Sequence, residues 1–231
     1  MKHIPNDWTI KQNTLKVLLS KENTFDSGIK LLLEMHGLLH DKKVYKGHSD
    51  TVYDKLWEDL NETTCRIISK QETSIAWDLW HITRIEDIVG NILINNGDTI
   101  FNNDIQAKLN IKIKNTGNSM SHDEIAEFNN TINIKELKNY RMLVGKSTKS
   151  ILESLGFIDM KRKVEKKQLD KIRENGGVIN DRHLVEIEHK STEWLLDFWG
   201  KKNILGLIMM PITRHQTLHL NDCFEIKEKY Q

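Results

Sequence analysis

Apolar side chains recur at helical spacing along residues 72–95, and this segment constrains the fold more than any other part of the chain. Its main apolar residues follow one another at steps of three, four and seven, the pattern of one face of an α-helix: Ile75, Leu79, Ile82, Val89 and Leu93. Further isoleucines widen this face beyond a single stripe. We therefore expect a helix at the centre of a bundle, surrounded by other helices.

Other segments carry helical signals and extend this prediction to most of the chain. Twelve glycines and two prolines among 231 residues leave few positions that break helices. Ser121 and Glu124 have the spacing of a capping box, which predicts that a helix starts there. Residues 109–114 alternate apolar and polar side chains like a strand, but one short strand makes no sheet. Further helices are predicted over residues 25–40, 52–60, 134–155, 164–173 and 202–224.

These patterns together favour an all-α fold. We expect a four-helix bundle with additional short helices and long inter-helix connections, in a single domain over residues 1–231. Gly145 weakens the helix predicted over residues 134–155 without breaking it. Pro211 lies inside the last predicted helix, where its missing N–H and its ring predict a kink near residues 207–210.

Charge and composition exclude several classes of function. The chain has 34 basic and 33 acidic side chains, a net charge of +1, so no global field attracts a phosphate backbone and we expect no nucleic-acid partner. The longest apolar run, residues 204–212, is far shorter than the roughly 20 residues that span a membrane. The first residues lack the apolar core of a signal peptide, so we expect a cytoplasmic protein with no membrane partner. Cys65 and Cys223 have no metal-ligand spacing.

Histidine is the residue type that carries chemistry here. The chain has ten histidines, and His215 and His219 are four apart near the end of an apolar helix, so both rings face the same side. His81, in the middle of the central predicted helix, is the best candidate for a third ligand. Three imidazoles suit zinc, nickel, iron or copper, of which we expect zinc or nickel, and they leave coordination positions open. The alternative is three buried histidines held by ordinary hydrogen bonds.

The segments 77–87 and 211–221 resemble the DinB-like (DinB/YfiT) superfamily of metal-dependent proteins. Members of that family are four-helix bundles in which one histidine on the second core helix and an HxxxH pair on the last helix hold a metal ion. On this chain the resemblance implies His81, His215 and His219 as metal ligands. It also implies a homodimer. Because the family includes thiol-dependent S-transferases, it further implies a low-molecular-weight thiol as cofactor. Residues 98–118 and 160–189 are additions that the resemblance does not explain.

Four more residues could orient the ligand rings or line a pocket near the metal. His36 and His40 repeat the four-residue spacing on the polar edge of the first long predicted helix, where we expect solvated or hydrogen-bonded side chains, or else a pocket wall near the metal. Asp78 and Asp222 stand three residues from His81 and His219 and could orient their rings, or could be ordinary surface residues. Glu86 is turned about 140° from His81 around the helix, so we expect it to pair with a basic side chain.

The open coordination positions indicate the class of reaction. A divalent ion can lower the pKa of a bound water or thiol, which permits hydrolysis or transfer onto a thiol, with a small molecule as substrate. The predicted function is therefore a metal-dependent transferase or hydrolase. The alternative is a non-catalytic, stress-associated helical binding protein in which the histidines hold a structural ion or none.

Overall fold

A computed structural model describes residues 2–45, 50–70, 72–179 and 192–231. Within these ranges all extended regular structure is helical and no strand forms, so the all-α prediction is confirmed. The helices are α1 (Trp8–Leu19), α2 (Phe25–Leu38), α3 (Val52–Trp57), α4 (Glu62–Cys65), α5 (Ile75–Asp87), α6 (Asn103–Leu109), α7 (His122–Thr131), α8 (Ile134–Ser154), α9 (Lys166–Glu174), α10 (Glu193–Gly200), α11 (Ile204–Leu207) and α12 (His215–Tyr230).

Helix α5 is the centre of the molecule, as the apolar pattern predicts. Every residue of α5 is buried, and a wider π-helical segment, Ile88–Ile94, continues the helix with all of its residues buried as well. Ser74 caps the N-terminus by accepting a hydrogen bond from the Trp77 N–H at 3.0 Å. Helices α8 and α12 pack directly against α5. Polar side chains on α5 therefore lie in the interior, where they need partners.

The predicted kink takes the form of a wide turn between α11 and α12. A π-helical segment, Ile208–Arg214, contains Pro211, and α12 begins directly after it at His215. Side chains satisfy backbone carbonyls in this turn, because Gln12 Nε2 donates to Met209 O at 2.7 Å and Thr213 Oγ1 donates to Ile208 O at 2.8 Å. The turn sets the direction in which α12 points its first histidines.

Several local predictions have clear outcomes. The capping box is confirmed, since Ser121 and Glu124 bond each other's backbone N–H at the start of α7. Helix α8 runs unbroken through Gly145. Residues 109–114, whose side chains alternate like those of a strand, form no strand: α6 ends there with Asn110 in the left-handed region. In the segment after α6, backbone carbonyl groups accept hydrogen bonds from side chains; Lys114 O, for example, accepts one from Arg84.

One hydrophobic core extends along the whole described chain, from Ile4 to Ile226. Helices α1, α6 and α10, which the sequence patterns did not predict, cover parts of this core. The second unexplained addition contains α9, and its residues 180–189 lie outside the described ranges. Among the helices of the described residues, none combines the length and the apolar character that crossing a bilayer requires.

Candidate metal centre

Three imidazoles from two helices meet beside the wide turn. His81 lies in the middle of α5, while His215 and His219 occupy the first turn of α12. Nε2 of His81 and Nε2 of His215 are 3.3 Å apart, and one nitrogen from each of the three rings lies within 4.8 Å of the others. Two nitrogen ligands of a tetrahedral zinc ion are about 3.3 Å apart when each bond is about 2.0 to 2.1 Å. The spacing therefore fits a shared divalent ion.

Hydrogen bonds on the far side of two rings fix which nitrogen is free. His81 Nδ1 lies 2.8 Å from the backbone carbonyl oxygen of Thr116, and His219 Nδ1 lies 2.8 Å from the Asp78 carboxylate. Since a carbonyl and a carboxylate accept hydrogen bonds, we assign the proton of each ring to Nδ1. Nε2 of both rings then carries a lone pair that faces the cluster, which is the tautomer that a metal needs.

Ring stacking and burial further define the state of His81 and His215. Trp77 stacks on His81 with ring centroids 4.8 Å apart and planes inclined by 7°, which fixes the plane of the first imidazole. His215 Nδ1 is buried and has no hydrogen-bond partner among the described residues. Burial lowers the pKa of His215 to about 3 and lowers the pKa of His81 well below its ordinary range. Burial therefore keeps both rings neutral, which is the form that binds metal.

The two candidate aspartates differ in position. Asp78 is almost fully buried, so it is not a surface residue, and it accepts a hydrogen bond from His219 of α12 rather than from the neighbouring His81. Burial raises the pKa of Asp78, and the hydrogen bond with His219 opposes that shift. Asp222 lies in the same neighbourhood, with a carboxylate oxygen within 4.8 Å of the Asp78 and His219 ligand atoms, and burial raises its pKa as well. Asp78 is thus the residue that holds the ring.

His36 and His40 do not join the three-histidine cluster. Both side chains are fully buried, so the expected polar edge and solvation are wrong, whereas His36 is hydrogen-bonded as the other part of that expectation had it. Helix α8 packs against α2, and Glu86 of α5 faces both rings. The two rings face Glu86, also fully buried, with His36 Nε2 at 2.9 Å and His40 Nε2 at 3.1 Å from its carboxylate oxygens. Burial alone would raise the pKa of Glu86, but the facing imidazoles outweigh it and lower that pKa well below its ordinary range. Glu86 thus pairs with imidazoles rather than with Lys or Arg.

An apolar pocket opens beside the three-histidine cluster. It has a volume of about 180 Å³ and is lined in part by His215, Trp194, Phe198, Met210 and Pro211. The sequence patterns did not predict these α10 residues as part of a site, although Trp194 and Phe198 are spaced four apart in a segment rich in aromatic side chains. A small molecule with an apolar group could lie in this pocket in contact with one of the imidazoles.

A backbone carbonyl that the sequence patterns did not predict completes the site. The Thr116 carbonyl belongs to a turn in the first unexplained addition, so part of that addition positions His81. Buried His/Glu groups in this chain could hold a metal ion, and His215 of the His81, His215 and His219 group borders the apolar pocket. Sequence comparison matches the chain to no protein-family model and to no curated protein.

Proposed function

We propose that this chain is a divalent-metal-dependent enzyme of the DinB/YfiT-like type, with His81, His215 and His219 as the ligands of a zinc or nickel ion. The observation that carries the proposal is the convergence of three imidazoles with two of the rings held in the metal-binding tautomer. As part of this proposal, α2, α5, α8 and α12 are the four core helices of the family's bundle. When bound, the ion would supply a Lewis acid that lowers the pKa of a water or thiol ligand.

The protein groups around the centre have separate tasks in this mechanism. Thr116 and Asp78 hold two ligand rings in place through their Nδ1 protons, which limits the reorganisation that binding requires. The aromatic side chains of α10 exclude water from one side of His215 and give an apolar substrate group a place to bind. The reaction class that fits is hydrolysis of a small electrophile or its transfer onto a low-molecular-weight thiol.

Elemental analysis tests the metal part of the proposal. Protein purified without a histidine tag should contain one more equivalent of divalent metal per chain than the His215→Ala variant. His122→Ala is the matched control, because His122 is exposed at the start of α7. The control should keep the full metal content. An equal metal content in the native protein and in His215→Ala would overturn the assignment.

A second measurement tests catalysis. Loss of a low-molecular-weight thiol in the presence of an activated aryl halide, and hydrolysis of a nitrophenyl ester, are followed with native protein and with His215→Ala. We expect at least one reaction to be faster with the native protein. Equal rates for both proteins in both reactions, together with a normal metal content, would favour the non-catalytic binding protein.

A further inference from the structure

The second histidine pair forms a closed polar cluster that the proposed function does not use. His36, on the last turn of α2, and His40, just after that helix, face Glu86 of α5, and all three side chains are completely shielded from solvent. We propose that these three residues form a second metal site, which binds a divalent first-row ion such as zinc and ties the end of α2 to the central helix. Two histidines with one glutamate are an established ligand set for zinc.

The separations between the ligand atoms fit this assignment. Each carboxylate oxygen of Glu86 faces a different imidazole, Oε1 at 2.9 Å from His36 Nε2 and Oε2 at 3.1 Å from His40 Nε2. Nitrogen and oxygen ligands of a tetrahedral zinc ion are about 3.3 Å apart. To bind an ion, the facing nitrogen and oxygen atoms would therefore have to move apart by a few tenths of an ångström. Three residues supply four donor atoms if the carboxylate binds through both oxygens.

The surroundings hold the two rings with Nε2 toward the carboxylate. His36 Nδ1 lies 2.7 Å from the Tyr45 hydroxyl, with which it shares a hydrogen bond, and its Nε2 is hydrogen-bonded to Glu86 Oε1 at 2.9 Å. Nε2 is therefore the nitrogen that an ion would take over from that hydrogen bond. His40 packs its Nδ1 edge against α8 at Gly145, where a Cβ atom would lie 2.6 Å from that nitrogen. A glycine at this position gives the ring the space that it occupies.

Unpartnered polar atoms show that the cluster is incomplete as a hydrogen-bonded network. His40 Nε2 and Glu86 Oε2 are buried and, despite their 3.1 Å separation, are not aligned as a hydrogen bond. Buried polar atoms without partners are costly, and an ion between these atoms would satisfy both of them.

Arg141, a buried cation nearby, directs its hydrogen bonds to groups other than Glu86. Arg141 donates hydrogen bonds to the Thr83 hydroxyl, the Leu39 carbonyl and the Gln216 side chain. Among the described residues, the only basic groups within ion-pair distance of the Glu86 carboxylate are the two imidazoles. The carboxylate charge is thus directed at the space between the rings.

Complete burial predicts how the ion behaves. A chelator cannot contact ligands that have no exposed surface, so release requires the α2 and α5 elements to separate. The three-histidine centre has partly exposed rings and an adjacent pocket, so its ion is accessible. The two ions should differ in their resistance to EDTA.

The experiment is a zinc count on tag-free protein expressed in zinc-supplemented medium, before and after dialysis against EDTA. We expect two zinc ions per chain before EDTA and one after it. His215→Ala should contain one, which resists EDTA. Glu86→Gln, nearly isosteric, should contain one, which EDTA removes. Glu174→Gln, at an exposed end of α9, is the matched control and should behave like the native protein.

The outcomes separate this proposal from the proposed function. A single zinc that is absent from His215→Ala overturns the second site and leaves the catalytic centre standing. A single EDTA-resistant zinc that remains in His215→Ala supports the second site and overturns the catalytic centre. No zinc in the native protein overturns both. The His215→Ala measurement decides the matter even if Glu86→Gln fails to fold.

Discussion

Gly145→Ala gives a direct test of how His40 is packed. In an ordinary helix interior this change stabilises the fold by about 1 kcal/mol, because alanine has the higher helix propensity. Here the new Cβ would lie 2.6 Å from His40 Nδ1 and 3.1 Å from two ring carbons, whereas ordinary contacts begin at 3.4 Å. The ring would have to move by nearly an ångström, and Glu86 lies 3.1 Å from its other nitrogen. Overpacking of this kind costs about 1 to 3 kcal/mol.

The overpacking outweighs the gain in helix propensity, so we expect Gly145→Ala to lower the free energy of unfolding by about 1 kcal/mol. Urea denaturation of metal-free protein, prepared by unfolding it in urea with EDTA and refolding it without metal, measures this value by circular dichroism. Lys146→Ala is the control, since Lys146 is exposed on the same helix and should stay within about 0.5 kcal/mol of the native protein. A Gly145→Ala variant more stable than the native protein would refute the packing argument.

Three further predictions concern other parts of the interior. Asp78→Ala should weaken zinc binding at the three-histidine centre by about 10- to 100-fold, because His219 loses its orienting acceptor, whereas Asp222→Ala should change it much less. Competition with a fluorescent chelator measures both affinities, and equal effects would contradict the orienting role. Asp87→Ala should destabilise the fold by about 3 to 5 kcal/mol in urea denaturation, since the buried carboxylate accepts hydrogen bonds from the Tyr140 hydroxyl and the Ile100 and Phe101 N–H groups; a loss below 1 kcal/mol would refute it. In the metal-free protein, burial lowers the pKa of His215 from its ordinary 6.5 to about 3, so its stabilising contribution is complete above pH 6.5 and is lost as the pH falls toward 3. Unfolding measured in this range should depend less on pH in His215→Ala, by up to about 1.4 kcal/mol per pH unit, and parallel pH profiles would rule out this assignment.

The central helix and the shared face of His215 and His219 follow from local pattern. Apolar periodicity identified α5 because every turn of that helix is buried, and a spacing of four placed His215 and His219 on one face. The position of Asp78, one turn before His81, indicated an orienting acceptor for a histidine of the site, and its partner turned out to be His219 on the facing helix.

The features that sequence reasoning missed depend on contacts between distant segments. His36 and His40 follow a pattern typical of a polar helix edge, and only the approach of Gly145 on α8 and Glu86 on α5 places them in the interior. The Thr116 carbonyl is a backbone group, so side-chain patterns do not reveal its role in holding His81. Helix α1 carries its buried residues without a strong apolar stripe, which explains why its periodicity gave no clear signal.

His81 and Glu86 stand on the same helix, five residues apart, which corresponds to about 7.5 Å along its axis. A helix that supplies one ligand to each of two metal centres would carry a shift or tilt at one centre to the other. Under the two proposals, filling the closed centre would change the affinity of the open one, and thermodynamic reciprocity requires the reverse effect to be equally large. Helix α5 would then be the element through which the ion at the closed centre changes the affinity of the three-histidine centre for its own ion.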